Sequence, residues 1–262
     1  ERGLSADLHY ALYGFKSGSA LHLKNPLDKK ERARLVESAD KIVSFVDAPG
    51  HEPWLHTTIR GLVGQSIDYG VLVVATDDGI MPVTREHLGL LLAMNLPIII
   101  CLTKIDKVSN KKVEAVEEDV DRLLKGVGRI PYSIKSPSDI PVVIDKLGTI
   151  VPLIRTSAVT LQGYEVLNRL LLALPEREKS VDKPFLMFID RTYNITGVGT
   201  VVSGTIKQGR LQPGRALIIG PDDSGSFRAV KAKSIEMHYY RLSEANAGLV
   251  VGIALRGVRH ED

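Results

Sequence analysis

The sequence predicts an α/β fold in two parts, a parallel β-sheet with flanking helices followed by an antiparallel β-barrel. In the first part, uninterrupted apolar runs such as residues 98–102 alternate with helical patterns. Uninterrupted runs are typical of strands that a parallel sheet buries on both faces. From Phe185 onwards the pattern changes to short β-branched runs separated by glycine turns, which is typical of a closed antiparallel barrel.

The elements of the first part are predicted in chain order. Residues 9–15 and 43–46 should be neighbouring strands, and the charged segment 24–41 between them a solvated excursion or a short helix. A further central strand is expected at residues 71–75, before the turn Asp77-Asp78-Gly79. Helices are predicted at residues 54–65, 86–93, 111–124 and 164–172. In the third of these, the apolar spacing turns Val113, Val120 and Leu124 inward.

The second part begins after a polar linker that contains Pro175 and Pro184. We therefore predict two domains, residues 1–178 and 179–262. The barrel strands are expected within residues 185–190, 197–206, 216–221, 228–237 and 247–255. Its glycines should serve bends and tight turns rather than phosphate binding; they are Gly197, Gly199, Gly204, Gly209 and Gly214.

Composition excludes several classes of protein. The chain has 262 residues, of which 44% are hydrophobic, enough for two cores. It has no apolar run of the roughly 18 residues that a membrane span needs, and no leader of the signal-peptide type. The single cysteine, Cys101, lies in an apolar run and is expected to be a buried core residue. These features predict a cytoplasmic protein without a membrane partner.

Three short motifs follow apolar runs in a fixed order. They are Asp47-Ala48-Pro49-Gly50-His51, Thr103-Lys104-Ile105-Asp106 and Thr156-Ser157-Ala158. An open α/β sheet binds its ligand beyond the carboxyl ends of its strands, so the three loops are expected to meet at one place.

The second and third motifs suit the recognition of guanine. The Asp106 carboxylate can accept hydrogen bonds from two neighbouring donors on one edge of guanine, and a mismatched buried acceptor costs about 1–3 kcal/mol. Lys104 would lay its methylene stem along base and ribose, while Ser157 and Ala158 would offer backbone N–H groups to the guanine carbonyl.

The first motif suits phosphate chemistry. Asp47 fits the outer coordination of a magnesium ion, which keeps several waters. Gly50 lets a backbone N–H approach a terminal phosphate, and His51 would stand beside the attacking water. Taken singly, each motif could instead be a turn, a strand end or a capping histidine. Their shared order and strand context favour the functional interpretation.

These motifs carry a resemblance to a known family. Residues 47–106, with DxPGH and then DG-x-MP-x-TREH, resemble the second half of the GTP-binding domain of elongation-factor-Tu-type translational GTPases. In that family DxPGH is the mobile catalytic switch. Residues 129–151 and 190–209 resemble the GTP-binding-protein-one-like branch. The resemblance implies a P-loop-type GTPase domain followed by a barrel domain, with GTP or GDP and Mg²⁺ as cofactors.

One expected motif is missing. The family has a G-x-x-x-x-G-K-[ST] loop that cradles the phosphates, but this chain contains no Gly-Lys dipeptide. Residues 1–5 resemble the later switch-one motif, which would place Ser5 where the family has a magnesium-binding threonine. We therefore expect a truncated piece with a partial GTPase domain, lacking the phosphate loop and a third domain, and inactive by itself.

The resemblance implies a GTP-hydrolysing translation elongation-type factor that is switched on the ribosome. The alternative is a regulatory GTP-binding adaptor for RNA or the ribosome, in rescue or messenger surveillance, with little turnover of its own. Residues 183–262 carry 11 Lys or Arg and 7 Asp or Glu. This excess suits contact with transfer RNA or another RNA, but solvated barrels carry similar charge. The oligomeric state is left open.

Overall fold

The computed structural model describes residues 9–48 and 66–258. These residues form two compact units. One contains residues 9–48, Ser66 and residues 178–258, and the other contains residues 67–177.

The N-terminal segment forms a small antiparallel sheet with one helix. Strands β1 (His9–Lys16), β2 (Ser19–Leu21) and β3 (Lys41–Asp47) lie in the order β2-β1-β3, and helix α1 (Lys29–Ser38) connects β2 to β3. The predicted pairing of the first and last of these strands is confirmed. Of the two interpretations of the charged segment, the short helix is correct, because Asp28 caps it and accepts hydrogen bonds from the amides of Lys30 and Glu31.

The second unit contains the predicted parallel sheet. Its strands are β4 (Gly70–Ala75), β5 (Ile98–Thr103), β6 (Ile130–Ser133) and β7 (Ile150–Arg155), in the order β4-β5-β7-β6 within the described part of the chain. Ile98 to Leu102 in β5 are all buried, as the uninterrupted run predicts. The expected central strand β4 lies at one edge of the described sheet, and there Val71 and Val73 are exposed.

The sheet is flanked by α2 (Pro82–Ala93), α3 (Asn110–Gly126), α4 (Ile140–Ile144) and α5 (Tyr164–Ala173). Short 3₁₀ turns cover Ile105–Lys107 and Pro137–Asp139. Helix α3 buries Val113, Val116, Val120 and Leu124, which share one face at helical spacing. Helix α2 begins four residues earlier than the sequence predicts, with Pro82 in its first turn, where the missing N–H costs nothing. None of the helices in the two described ranges is long and apolar enough to cross a membrane.

The C-terminal part is a curled antiparallel sheet. Strands β8 (Leu186–Ile195), β9 (Gly199–Gln208), β11 (Ala216–Ile219), β12 (Arg228–Met237) and β15 (Val250–Arg256) run in the order β11-β12-β15-β9-β8. Strand β13 (Tyr240–Leu242) pairs with β12, and β10 (Arg210–Leu211) pairs with β14 (Ala245–Asn246). The antiparallel prediction is confirmed. Within the described residues, however, the sheet is a half-barrel whose end strands are β11 and β8, and it does not form a closed ring.

Local features of this sheet explain its glycines and its core. Positive φ angles at Gly197, Gly199, Gly209 and Gly214 agree with their predicted use in turns. Gly204 lies inside β9, and an added Cβ would come within 1.9 Å of the Phe188 carbonyl oxygen. The core contains Val202, Ile206, Leu211, Val230, Ile235, Val251, Ile253 and Leu255.

The hairpin between β12 and β13 packs on the N-terminal segment. Met237 and Tyr240 contact the cluster formed by Leu12, Leu35 and Val36. This contact places residues 9–48 in the same compact unit as the half-barrel. The apolar run before Asp47 is therefore a half-buried antiparallel strand beside β1, and it is not a strand of the described parallel sheet.

Candidate guanine-nucleotide site

The loops that follow β4, β5 and β7 leave the parallel sheet at the same edge. Ala75, the last residue of β4, pairs with Thr103, and Leu102 pairs with Arg155, the last residue of β7. Because the strands are parallel, their carboxyl ends point the same way. This is the edge at which open α/β sheets bind ligands.

Lys104 turns the chain sharply at the end of β5. Its φ of 58° and ψ of 31° are left-handed, a conformation that costs roughly 1–2 kcal/mol in a residue with a Cβ. The 3₁₀ turn Ile105–Lys107 follows directly and leaves Asp106 exposed. The conformation of Lys104 therefore sets the path of the backbone that leads to Asp106.

Two buried threonines on the flanking strands hold this turn. The Thr76 hydroxyl donates to the carbonyl oxygens of Thr103 and Lys104, at 3.0 and 3.1 Å. On the other side, the Thr156 hydroxyl and amide donate to the Leu102 carbonyl at 3.2 and 2.7 Å. We call this arrangement the threonine clamp, meaning Thr76 and Thr156.

Two carboxylates after β4 bind the lysine side chain. Lys104 Nζ lies 3.1 and 3.2 Å from the two carboxylate oxygens of Asp77, and 3.6 Å from an oxygen of Asp78. The hydrogen bond from Lys104 lowers the pKa of Asp77 below its usual value, and the same bond raises the pKa of Lys104. Lys107 Nζ is 3.6 Å from Asp77. Both charges of the main pair thus stay ionised at neutral pH.

The loop after β7, residues 156–163, uses most of its polar groups internally. The Ser157 hydroxyl accepts hydrogen bonds from the amides of Val159 and Thr160, at 3.2 and 3.1 Å. The Ser157 amide itself donates to the Gln162 carbonyl at 3.1 Å, so donation to a base would compete with this bond. Ala158 is exposed, and we find no acceptor for its amide among the described residues. Its N–H can therefore face a ligand.

Gly163 closes the third loop and precedes α5. Its φ is +79°, and a Cβ placed there would come within 1.9 Å of the Arg155 carbonyl oxygen. The Arg155 side chain is also fixed, because its Nε donates to Glu117 in α3 at 2.6 Å. The start and the end of the loop are thus held against each other and against a helix.

The structure brings together the predicted base-recognition residues. Thr103, Lys104 and Asp106 lie on one loop and Ser157 and Ala158 on the next, joined by a bond of 3.4 Å from the Ile105 amide to the Thr156 carbonyl. Asp47 is exposed at the end of β3, in the other compact unit. The remaining predicted site residues, Ser5, Gly50 and His51, and the predicted helix 54–65 lie outside the described residues.

Sequence reasoning missed the supporting residues. It gave no role to Thr76, and it treated Asp77 as part of a turn. One signal was available, since Thr76 and Thr156 each follow directly after an apolar strand that flanks β5. A hydroxyl in that position can bond to the backbone of the neighbouring strand end.

Two other features near the site are separate from it. A groove of about 700 Å³ lies between α3 and residues 78–80, with Arg85, Lys112 and Arg122 in its lining, and contains none of the predicted base-recognition residues. Cys101 is buried as predicted, and burial raises the pKa of its thiol to about 11. The thiol is therefore protonated at neutral pH.

Comparison with family models covers almost the whole chain. Residues 1–190 match the elongation factor Tu GTP-binding domain, and residues 199–262 match elongation factor Tu domain 2.

In the aligned stretches, about a third of the residues of curated relatives are identical to this chain. GTP-binding protein 1 of Xenopus laevis is 34% identical over 87% of this chain and 36% of its own length. Human GTP-binding protein 2 is 30% identical over 97% of this chain and 44% of its own length. Elongation factor 1-alpha of Pyrococcus furiosus is 33% identical over 86% of this chain and 52% of its own length. The chain thus spans about half or less of the length of these relatives.

Solved structures share the fold. Translation elongation factor SelB from Methanococcus maripaludis, in complex with the GTP analogue GppNHp, has a TM-score of 0.70 at 25% identity, over 98% of this chain and 47% of that one. A bacterial selenocysteine-specific elongation factor, EF-Sec, also has a TM-score of 0.70 at 25% identity, over 99% and 37%. The matched domain models, the relatives and the observed folds agree. This chain belongs to the elongation-factor-Tu-type family of translational GTPases.

Proposed function

We propose that the protein binds GTP and GDP at the carboxyl edge of its parallel sheet and hydrolyses GTP. The observation that carries the proposal is the bond between the Ile105 amide and the Thr156 carbonyl, which holds the TKID and TSA loops side by side. It leaves the Asp106 carboxylate and the Ala158 backbone exposed at the edge where α/β sheets bind ligands.

The two loops divide the recognition of guanine between them. Asp106 accepts from the ring N–H and the amino group, which adenine does not present on one edge. The Ala158 amide donates to the guanine carbonyl. Lys104 lays its stem along base and ribose, with its ammonium near Asp77. A nucleotide that offers an acceptor to Asp106 loses about 1–3 kcal/mol, because a buried acceptor stays unpaired.

The phosphate side of the site is assigned to the first motif. No cluster of three or more His, Cys, Asp or Glu forms a metal site within residues 9–48 and 66–258. Mg²⁺ usually binds through one or two carboxylates and the nucleotide phosphates, so the single exposed carboxylate of Asp47 fits that chemistry. Asp47 and Ser5 would hold the ion, which neutralises phosphate charge when bound. Gly50 would approach the terminal phosphate, and His51 would orient the attacking water.

At the level of the whole protein, we propose a cytoplasmic translation factor of the elongation type, switched by GTP on the ribosome. The support is family membership, together with relatives named elongation factor 1-alpha and SelB. Loss of the γ-phosphate would release the switch segments and time departure from the ribosome.

The second candidate function is an adaptor with slow GTP turnover, in which the half-barrel binds RNA. Residues 183–262 carry an excess of positive charge. Phe188 and Tyr193 are exposed on β8, and Lys207 Nζ lies 5.4 Å from the centre of the Phe188 ring. Exposed aromatic rings beside basic groups can stack on the bases of transfer RNA or another single strand. Strong stimulation of hydrolysis by ribosomes would favour the elongation-type factor over this adaptor.

Exchange of the Asp106 carboxylate tests the nucleotide site. In the full-length protein, Asp106→Asn replaces an acceptor by a group that also donates, so preference should move from GTP towards XTP, whose 2-position carries an oxygen. Competition binding with both nucleotides measures this. Asp145→Asn, which changes an exposed carboxylate next to α4 in the same unit, is the control and should keep the GTP preference. If Asp106→Asn still prefers GTP over XTP, Asp106 does not recognise the base.

A further inference from the structure

We propose that Thr76 and Asp77 are positioning residues for guanine specificity: they hold the left-handed turn at Lys104 and so direct Asp106. This inference rests on the proposed function, because it assigns the support of the same base-recognition loop.

The backbone of Lys104 needs that support. A residue with a Cβ adopts a φ of 58° only when neighbouring contacts stabilise it. The φ and ψ of Lys104 are set by the two peptide planes on either side of its Cα. The Thr76 hydroxyl bonds to one carbonyl in each of these planes, those of Thr103 and Lys104. One buried hydroxyl, whose single proton the two carbonyls share, therefore restrains both angles.

The opposite side of the strand end is fixed independently. Thr156 bonds to the Leu102 carbonyl, and the Ile105 amide bonds to the Thr156 carbonyl. The backbone from residue 102 to residue 105 is thus held from both flanking strands by the threonine clamp. Asp106 comes next, so the position of its backbone depends on this turn.

Asp77 acts on the side chain of the same lysine. Both of its carboxylate oxygens lie within hydrogen-bond distance of Lys104 Nζ, at 3.1 and 3.2 Å, whereas Asp78 comes no nearer than 3.6 Å with one oxygen. The Asp77 side chain is 29% exposed and that of Asp78 61%. The two carboxylates are adjacent and equally charged, but only Asp77 holds the ammonium at two points. Asp78 is therefore a matched control for Asp77.

The experiment compares base discrimination with folding stability. Dissociation constants for GTP and ITP are measured in the full-length protein with wild type, Asp77→Asn, Asp78→Asn, Thr76→Val and Thr76→Ser, together with the melting temperature of each variant. ITP lacks the 2-amino group that Asp106 is proposed to bind, so the ratio of the two constants reports the alignment of Asp106.

We expect Asp77→Asn to lower the GTP-over-ITP ratio about two- to fivefold, the range of a partly exposed ion pair. Asp78→Asn should change it less than about twofold. Thr76→Val should lower the ratio about fivefold through lost hydrogen bonds, and Thr76→Ser, which keeps the hydroxyl, should restore it. In a Lys104→Met background, Asp77→Asn should have a smaller effect on the ratio than in wild type, because only the 3.6 Å pair with Lys107 remains.

The opposite results would overturn the inference. Equal ratios in wild type and Asp77→Asn, or equal losses in Asp77→Asn and Asp78→Asn, would show that Asp77 does not align the loop. A fall in melting temperature with an unchanged ratio would give Thr76 and Asp77 a purely structural role. If wild-type protein fails to bind GTP over ITP, the proposed function itself fails, which is a different result from failure in the variants alone.

Discussion

Gly163 offers the sharpest test of the geometry of the TSA loop. It lies where residues 156–163 return to the sheet, directly before α5. In Gly163→Ala, the new Cβ would stand 1.9 Å from the Arg155 carbonyl oxygen and 3.0 Å from its carbon. Both atoms are backbone atoms at the end of β7, so the strand end or the loop must move.

The expected cost has two parts. A left-handed φ of +79° costs about 1–2 kcal/mol once a Cβ is present. Relieving the clash adds about 1–3 kcal/mol, as in other overpacked sites. We therefore expect Gly163→Ala to lower the free energy of unfolding of this unit by about 2–5 kcal/mol, and to weaken guanine-nucleotide binding because the bond from Ser157 to Gln162 depends on this closure.

A variant at Gly128, in the same unit, distinguishes the cost of the left-handed φ from the cost of the clash. Its φ is +73°, close to that of Gly163, but an added Cβ would meet no atom within 4 Å. Gly128→Ala should therefore lose only the conformational part, about 1–2 kcal/mol, and leave nucleotide binding unchanged. Urea denaturation of both variants beside wild type gives the difference directly. If both glycine variants lose the same stability, the close approach of Gly163 to Arg155 does not constrain the loop.

Two further predictions concern histidines. His51→Ala in the full-length protein should bind GTP normally but hydrolyse it about 10²–10⁴-fold more slowly with ribosomes present, since a water-orienting group acts in the transition state. Normal turnover would remove His51 from the mechanism. A lower GTP affinity together with a lower melting temperature would give His51 a structural role. Burial and then Arg32 lower the pKa of His238, whose ring also lies 3.5 Å from the Ser44 hydroxyl. Because the folded pKa is below the unfolded value of 6.5, the contribution of His238 to stability is complete above pH 6.5 and is lost as the pH falls towards the folded pKa. Denaturation curves between pH 7.5 and 5.5 should show a smaller loss of stability for His238→Asn than for wild type, with the remaining loss due partly to half-buried His87. Equal losses in the two proteins would contradict the assignment.

Local sequence was sufficient for most elements. The spacing of Val113, Val120 and Leu124 predicts the buried face of α3, and the run at residues 98–102 predicts a strand buried on both faces; both are confirmed. These patterns are reliable because they record burial repeated along one element. The motifs TKID and TSA likewise identify the ends of adjacent strands, because the parallel order of the sheet brings such ends to one edge.

Only the tertiary structure decided which strands pair and which polar groups stay available. The apolar run before Asp47 pairs antiparallel with β1, because pairing depends on partners that an apolar run does not specify. The Ser157 amide is used inside its own loop, which leaves Ala158 as the available donor. The carbonyl of the left-handed Lys104 accepts a hydrogen bond from the hydroxyl of Thr76, which lies 28 residues earlier in the chain. By itself, the sequence determined the family and identified the residues that are proposed to recognise the base, since both are carried by short motifs. The groups that aim those residues come from the neighbouring strands, and only folding brings them into contact.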